Sequence, residues 1–154
     1  MSQSNRNKFF HYIFVTAMEG GISYWAVREE YVFSKTEGKM SEGNTPDDID
    51  NFYAIISNSE DDWGVEQAYV SEQDEVQDIT EDQLLRVDLK VIQRGWTIYY
   101  GKVMEGILNN TIAPDDYRVQ FVIQFLTNGE EGDSDSDEAD LVVQYGLFGE
   151  IVYG

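Results

Sequence analysis

The sequence predicts an α+β fold: an antiparallel β-meander of three or four strands, with one helix before it and about three helices after it. Three observations predict it. Apolar residues recur at helical spacing before residue 20 and again from residue 89 onward. Between these stretches lie short runs of Tyr, Trp, Val, Phe and Ile, separated by turn-forming residues. The chain of 154 residues is 42% hydrophobic and 14% aromatic, which supplies one core and one domain, residues 1–154.

Lys8 to Met18 reads as the first helix, with Phe9, Ile13, Phe14 and Ala17 on one stripe and Gly20-Gly21 as its stop. The apolar run ends in Glu19-Gly20-Gly21 rather than a small-residue cleavage site, so it reads as a helix of the domain and not a signal peptide. Ile22 to Ser34 reads as the first strand, with Tyr24, Ala26 and Arg28 on one face. A polar loop, Glu37 to Asp48, leads to a second strand at Asn51 to Asn58. Ser59 to Gly64 is the turn into a third strand, Val65 to Ser71, and Glu72 to Asp82 is an acidic connection. Leu84 to Val87 is a short fourth strand. Asp88 is placed to cap a long helix, Leu89 to Leu108, whose stripe is Leu89, Ile92, Trp96, Tyr99 or Tyr100, Val103 and Ile107, with Gly95 and Gly101 as weak points. A further helix opens at Asp115 or Asp116 and runs through Phe121 and Phe125 to Asn128-Gly129. An acidic mobile loop at about 129–138 follows, and a last helix runs from about Glu138 to Gly149.

Charge is the outlying property. Thirty Asp and Glu stand against ten Lys and Arg, a formal charge of −20. Such a surface repels nucleic acid and anionic membranes and attracts basic protein surfaces, while its self-repulsion opposes compaction. Solubility, or adaptation to high salt, is the bland account of it. The charge is segregated: ten acids and no base lie between Glu60 and Asp82, and eight acids and no base follow Arg118. The absence of cysteine excludes disulfides and thiolate chemistry and fits a reducing cytoplasm. No apolar stretch is long enough to span a bilayer.

Motifs of chemistry are sparse. Asp133-x-Asp135-x-Asp137 opens like an EF-hand loop, but the glycine position holds Glu138 and the final glutamate position holds Gln144, so neither a metal nor another cofactor is expected. Asp133, Asp135, Asp137 and Glu138 are expected to be solvated. The lone His11 sits inside an apolar helix and reads as a core or rim residue. There is no phosphate loop, dinucleotide fingerprint or nucleophile elbow.

The segments EGGISYWA at 19–26 and ADLVVQYGLFGEIVYG at 139–154 resemble a family of small uncharacterised phage proteins, in which E-G-G-x-x-Y-W is paired with D-x-x-x-Q-x-x-x-F-G-E-x-V-Y-G. The matching positions here are Glu19, Gly20, Gly21, Tyr24, Trp25, Asp140, Gln144, Phe148, Gly149, Glu150, Val152, Tyr153 and Gly154. The resemblance covers both ends and not the middle. It implies a phage or prophage origin, a host cytoplasm as the place of action, and two motifs that either pack together as scaffold or form a site.

Two functions from different classes follow. The first is a non-enzymatic inhibitor that mimics DNA and occupies the basic DNA-binding groove of a host restriction, CRISPR or repair protein, without binding nucleic acid itself. Its acidic surface would be Asp61, Asp62, Glu66, Asp74, Glu75 and Asp78, with Asp133, Asp135 and Asp137 as a second cluster. The alternative is a small-ligand or nucleotide-binding protein with its site at Glu19, Tyr24, Trp25, Asp140 and Gln144, and with Arg28, Arg86, Lys90 and Arg94 as a possible basic patch.

Overall fold

The computed structural model describes residues 3–32, 51–127 and 136–154. The order is α1 (Gln3–Thr16), β1 (Ala26–Val32), β2 (Tyr53–Asn58), β3 (Gln67–Val70), β4 (Glu75–Asp78), β5 (Leu85–Asp88), α2 (Leu89–Leu108), α3 (Tyr117–Thr127) and α4 (Ser136–Phe148). The architecture is α+β, with one helix before the strands and three after them.

Local chemistry accounts for most of the boundaries. The stripe of α1 is fully buried at Phe9, Ile13, Phe14 and Ala17. The helix then loosens into one π-helical turn, Ala17–Gly21, where Gly20 takes an extended φ of 178°. Asp88 caps α2 by accepting from Val91 N at 3.2 Å, and Asp116 accepts from Arg118 N at 2.9 Å at the entry to α3. Each satisfies a helix-start amide that has no carbonyl partner within its helix. His11 is buried, edge-on to Phe52.

The sheet departs from a simple meander. β2 lies between β1 and β5, antiparallel to both, while β3 and β4 form a separate two-stranded sheet. The third expected strand therefore pairs with a strand inside the stretch expected to be an acidic connection. β4 carries Glu75, Val76 and Asp78 exposed, so it shows no buried alternation by which to recognise it. Its register comes from β3, which buries Ala68 and Tyr69 and packs on α4. At the other end, Ile22 to Trp25 form a turn and not strand, because Trp25 N and Ala26 N both donate to Ile22 O. The bulge between Arg28 and Glu30 then shifts the alternation of β1.

Two further expectations are corrected. The acidic loop ends sooner than 138, since Ser136, Asp137 and Glu138 form the first turn of α4. Glu138 is not solvated: it is 4% exposed and accepts a hydrogen bond from the Tyr99 hydroxyl. Asp133, Asp135 and the expected loop from Glu37 to Asp48 lie outside the described residues.

Helix α4 is the centre of the molecule. Every residue from Glu138 to Leu147 except Leu141 is buried. It crosses α2 with backbones in contact: a Cβ at Gly95 would stand 1.8 Å from Val142 O, and one at Gly146 would stand 2.2 Å from Val91 O. Gly95, which sequence alone marks as a weak point of the helix, is what permits the crossing. Arg94, beside it, donates from Nη1 to Gly146 O at 2.6 Å and to Tyr145 O at 3.3 Å, closing carbonyls at the end of α4.

Gly95→Ala and Gly146→Ala should each lower stability by about 3 kcal/mol, the upper part of the range for overpacking, because the obstructing atoms are backbone. Gly101→Ala, where nothing lies within 4 Å, should be neutral or mildly stabilising. Urea unfolding of the three variants checks the contrast.

Candidate functional site

The two terminal motifs meet in a hydrogen-bonded node. The turn after the π-helical segment presents Tyr24 and Trp25, and α4 presents Asp140 and Gln144 one turn apart. Asp140 Oδ1 accepts from Trp25 Nε1 at 2.7 Å and from Gln144 Nε2 at 3.0 Å, and Oδ2 accepts from the Tyr24 hydroxyl at 2.5 Å. Gln144 is 0% exposed; its Oε1 accepts from Val152 N and Tyr153 N, both at 2.8 Å, and its Nε2 donates to Tyr153 O at 3.0 Å. A single buried amide thus clamps the C-terminal strip as a strand partner would. The Tyr153 ring then stacks on Trp25, centroids 4.8 Å apart, and its hydroxyl donates to Trp63 O. Burial and the Asp140 carboxylate push the Tyr24 phenol well above its ordinary pKa.

Four of the five residues named for an alternative ligand site therefore come together, but they are bonded to one another. Glu19 is elsewhere: it is exposed and accepts from the Tyr31 hydroxyl at 3.1 Å. Three of the four cations considered for a basic patch are engaged separately. Arg28 lies over Tyr31, Arg86 pairs with Asp88 at 2.9 Å and covers Tyr53, and Arg94 serves α4. Buried polar groups that are fully partnered specify a packing arrangement rather than wait for a ligand.

The acidic residues of the middle segment have a different environment. All ten carboxylates between Glu60 and Asp82 are exposed, and none meets a basic side chain among the described residues. Asp61, Asp62 and Glu66 converge with Glu81 and Asp82 around an open groove of about 790 Å³. Asp74, Glu75 and Asp78 extend along the β3–β4 hairpin. Several of these acids also have local work: Asp62 accepts from Gly64 N at 2.8 Å, and Glu75 and Asp78 accept from Gln77 Nε2 and Gln67 Nε2, each at 2.9 Å. Asp61 and Asp74 adopt positive φ, 67° and 53°, which aspartate tolerates better than most residues. Asp74 accepts from the Tyr69 hydroxyl at 2.5 Å; burial and that bond push the Tyr69 phenol up to about 12. Asp137 is exposed on α4, close enough to Tyr24 to contribute to its raised pKa. Among the described residues, no three acidic or histidine side chains are grouped to hold a metal ion, and no helix is long and apolar enough to cross a membrane.

Sequence reasoning missed Glu138 as a structural group and Glu81 and Asp82 as members of the acidic groove. The signal for Glu138 was present in the uncharged run from Leu141 to Gly149, which reads as a helix buried on all sides. No family model, curated protein or solved structure matches the chain.

Asp140→Ala leaves the Trp25 indole, the Tyr24 hydroxyl and the Gln144 amide without their common acceptor and should cost about 3 kcal/mol, measured by urea unfolding. The phenols also set an alkaline limit. Burial raises Tyr24, Tyr31, Tyr99 and Tyr153 above their unfolded pKa of 10.0, as it does Tyr69. Above that pH the unfolded chain loses protons that the folded chain keeps, so stability falls as pH rises. Tyrosinate absorbance should accordingly lag in the native protein and complete only with unfolding. A full titration of all tyrosines in the folded state would contradict this.

Proposed function

We propose that the protein is a non-enzymatic acidic inhibitor that occupies the cationic DNA-binding groove of a host protein, a restriction, CRISPR or repair enzyme. The observation that carries it is the segregation of ten exposed carboxylates, none in an ion pair among the described residues, onto the excursion between β2 and β5. Evenly scattered acids would serve solubility equally well. Ten exposed carboxylates on one excursion offer a partner's Lys and Arg a concentrated field of anions in place of the phosphates of duplex DNA, which carries one charge per roughly 1.7 Å of axis. The resemblance of the terminal motifs to phage proteins supports a host protein as the target. The terminal motifs serve this function as scaffold, holding the base from which the excursion projects: Tyr153, locked by Gln144, bonds Trp63 at the root of the acidic loop.

The test uses the immobilised protein and bacterial lysate. Captured proteins should be DNA-processing enzymes, released by duplex DNA and by rising salt, because exposed charge pairs are screened over about 8–10 Å near physiological ionic strength. Combined Asp61→Asn, Asp62→Asn, Glu66→Gln and Asp78→Asn should weaken capture about tenfold or more, each alone having little effect. The protein itself should give no mobility shift with duplex DNA. Salt-insensitive capture, or a direct shift of DNA, would sink the proposal.

A further inference from the structure

Beside the acidic groove lies a separate hollow of about 310 Å³, between the turn that carries Tyr24 and Trp25, the end of β2 and the C-terminal strip. Among its lining side chains Glu60 alone is charged. Glu60 has no side-chain partner among the described residues, and the same holds for the Ser59 hydroxyl. Asn58, at the back, is already used: its Nδ2 donates to the Tyr153 hydroxyl at 3.1 Å and its Oδ1 accepts from Glu60 N at 2.7 Å. Tyr24 is 55% exposed, while its hydroxyl is tied to Asp140 and so holds the ring in place. No lysine, arginine or histidine lines the hollow.

We propose that this hollow is a socket for a single arginine side chain of the protein partner. It deepens the inhibitor reading and rests on it, since the arginine is one that would otherwise contact a DNA phosphate. A planar guanidinium suits every exposed feature. It can lie against the fixed Tyr24 ring as a cation–π pair, present a two-pronged donor face to the Glu60 carboxylate, and give a further N–H to Ser59 Oγ. A lysine ammonium offers no flat face and less directional pairing. The surroundings add an attractive field: burial is the main cause of the raised Tyr153 and Tyr24 phenols, but Asp62 and Glu60 add to the first and Asp140 and Asp137 to the second, so carboxylates stand near both. An anionic ligand would meet repulsion from Glu60 and the acids near it. The acidic groove supplies diffuse attraction, and the socket supplies a fixed point that sets the register of the partner on the surface.

The test is heteronuclear NMR on the isotope-labelled full chain, titrated with N-acetyl-arginine-N-methylamide. The same blocked lysine and sodium chloride at matched ionic strength serve as controls. Saturable shifts confined to the Trp25 indole N–H and the amides of Asn58, Ser59 and Glu60, at least about fivefold weaker with lysine, are the expected result. Glu60→Gln should weaken arginine binding about fivefold, while Glu105→Gln, an exposed acid on α2 outside the hollow, should retain it within about twofold. Non-saturating shifts, equal shifts with lysine or salt, or an unchanged affinity in Glu60→Gln would overturn the socket. Its failure is distinguishable from that of the inhibitor reading. If duplex DNA still displaces the captured partner, only the socket falls; if blocked arginine binds but DNA does not compete, the socket stands and mimicry falls.

Discussion

Helix α4 is buried on nearly every side, and the rest of the structure is arranged around what that burial demands. A helix surrounded by protein must have neighbours that come close and must partner each of its polar side chains, since an unpartnered buried polar group costs about 1–3 kcal/mol. The first demand is met by glycine: Gly146 on α4 and Gly95 on α2 let the two backbones touch. The second is met by tyrosine and tryptophan. Tyr99 serves Glu138, and Trp25 and Tyr24 serve Asp140. Gln144 faces both ways, bonding Asp140 and the backbone of the C-terminal strip. Aromatic residues suit this duty because one end fills the core while the other donates a hydrogen bond.

The same arrangement reconciles a compact core with a charge of −20. Ten of the acids sit on the excursion between β2 and β5, outside the three-stranded sheet and outside the helix crossing. There they are solvated, and their mutual repulsion acts through water of high dielectric rather than across the core. The hairpin that carries them is anchored by a few apolar residues, Ala68 and Tyr69 against α4, and Trp63 at its base. Trp63 joins Trp25, Phe148 and Tyr153 in one aromatic cluster. Scaffold and acidic surface are therefore mechanically continuous: the motifs at the two chain ends fix the root of the segment that holds the charge.

The carboxylates thus fall into two populations: the buried ones, Glu138 and Asp140, accept from tyrosine and tryptophan donors, while Asp61, Asp62, Glu66, Glu81 and Asp82 line an open groove.

The sequence by itself determined the four helices and the strands other than β4, the buried stripe of Phe9, Ile13, Phe14 and Ala17, the cap at Asp88, and the segment in which negative charge accumulates. Each of these depends on neighbours within a few positions, through helical periodicity, a side chain folding back on its own backbone, or simple composition. Only the tertiary structure decided that Asp140 is a shared acceptor, that Glu138 is buried, that Gly95 is a contact and not a flaw, and that β3 pairs with β4 rather than β2. The physical reason is distance along the chain. Tyr24 and Asp140 are 116 positions apart, and Trp63 and Tyr153 are 90 apart, so their chemistry is set by which surfaces pack and not by local pattern. β4, with most of its residues exposed, carried no pattern of its own, and its identity as a strand came entirely from the partner beside it.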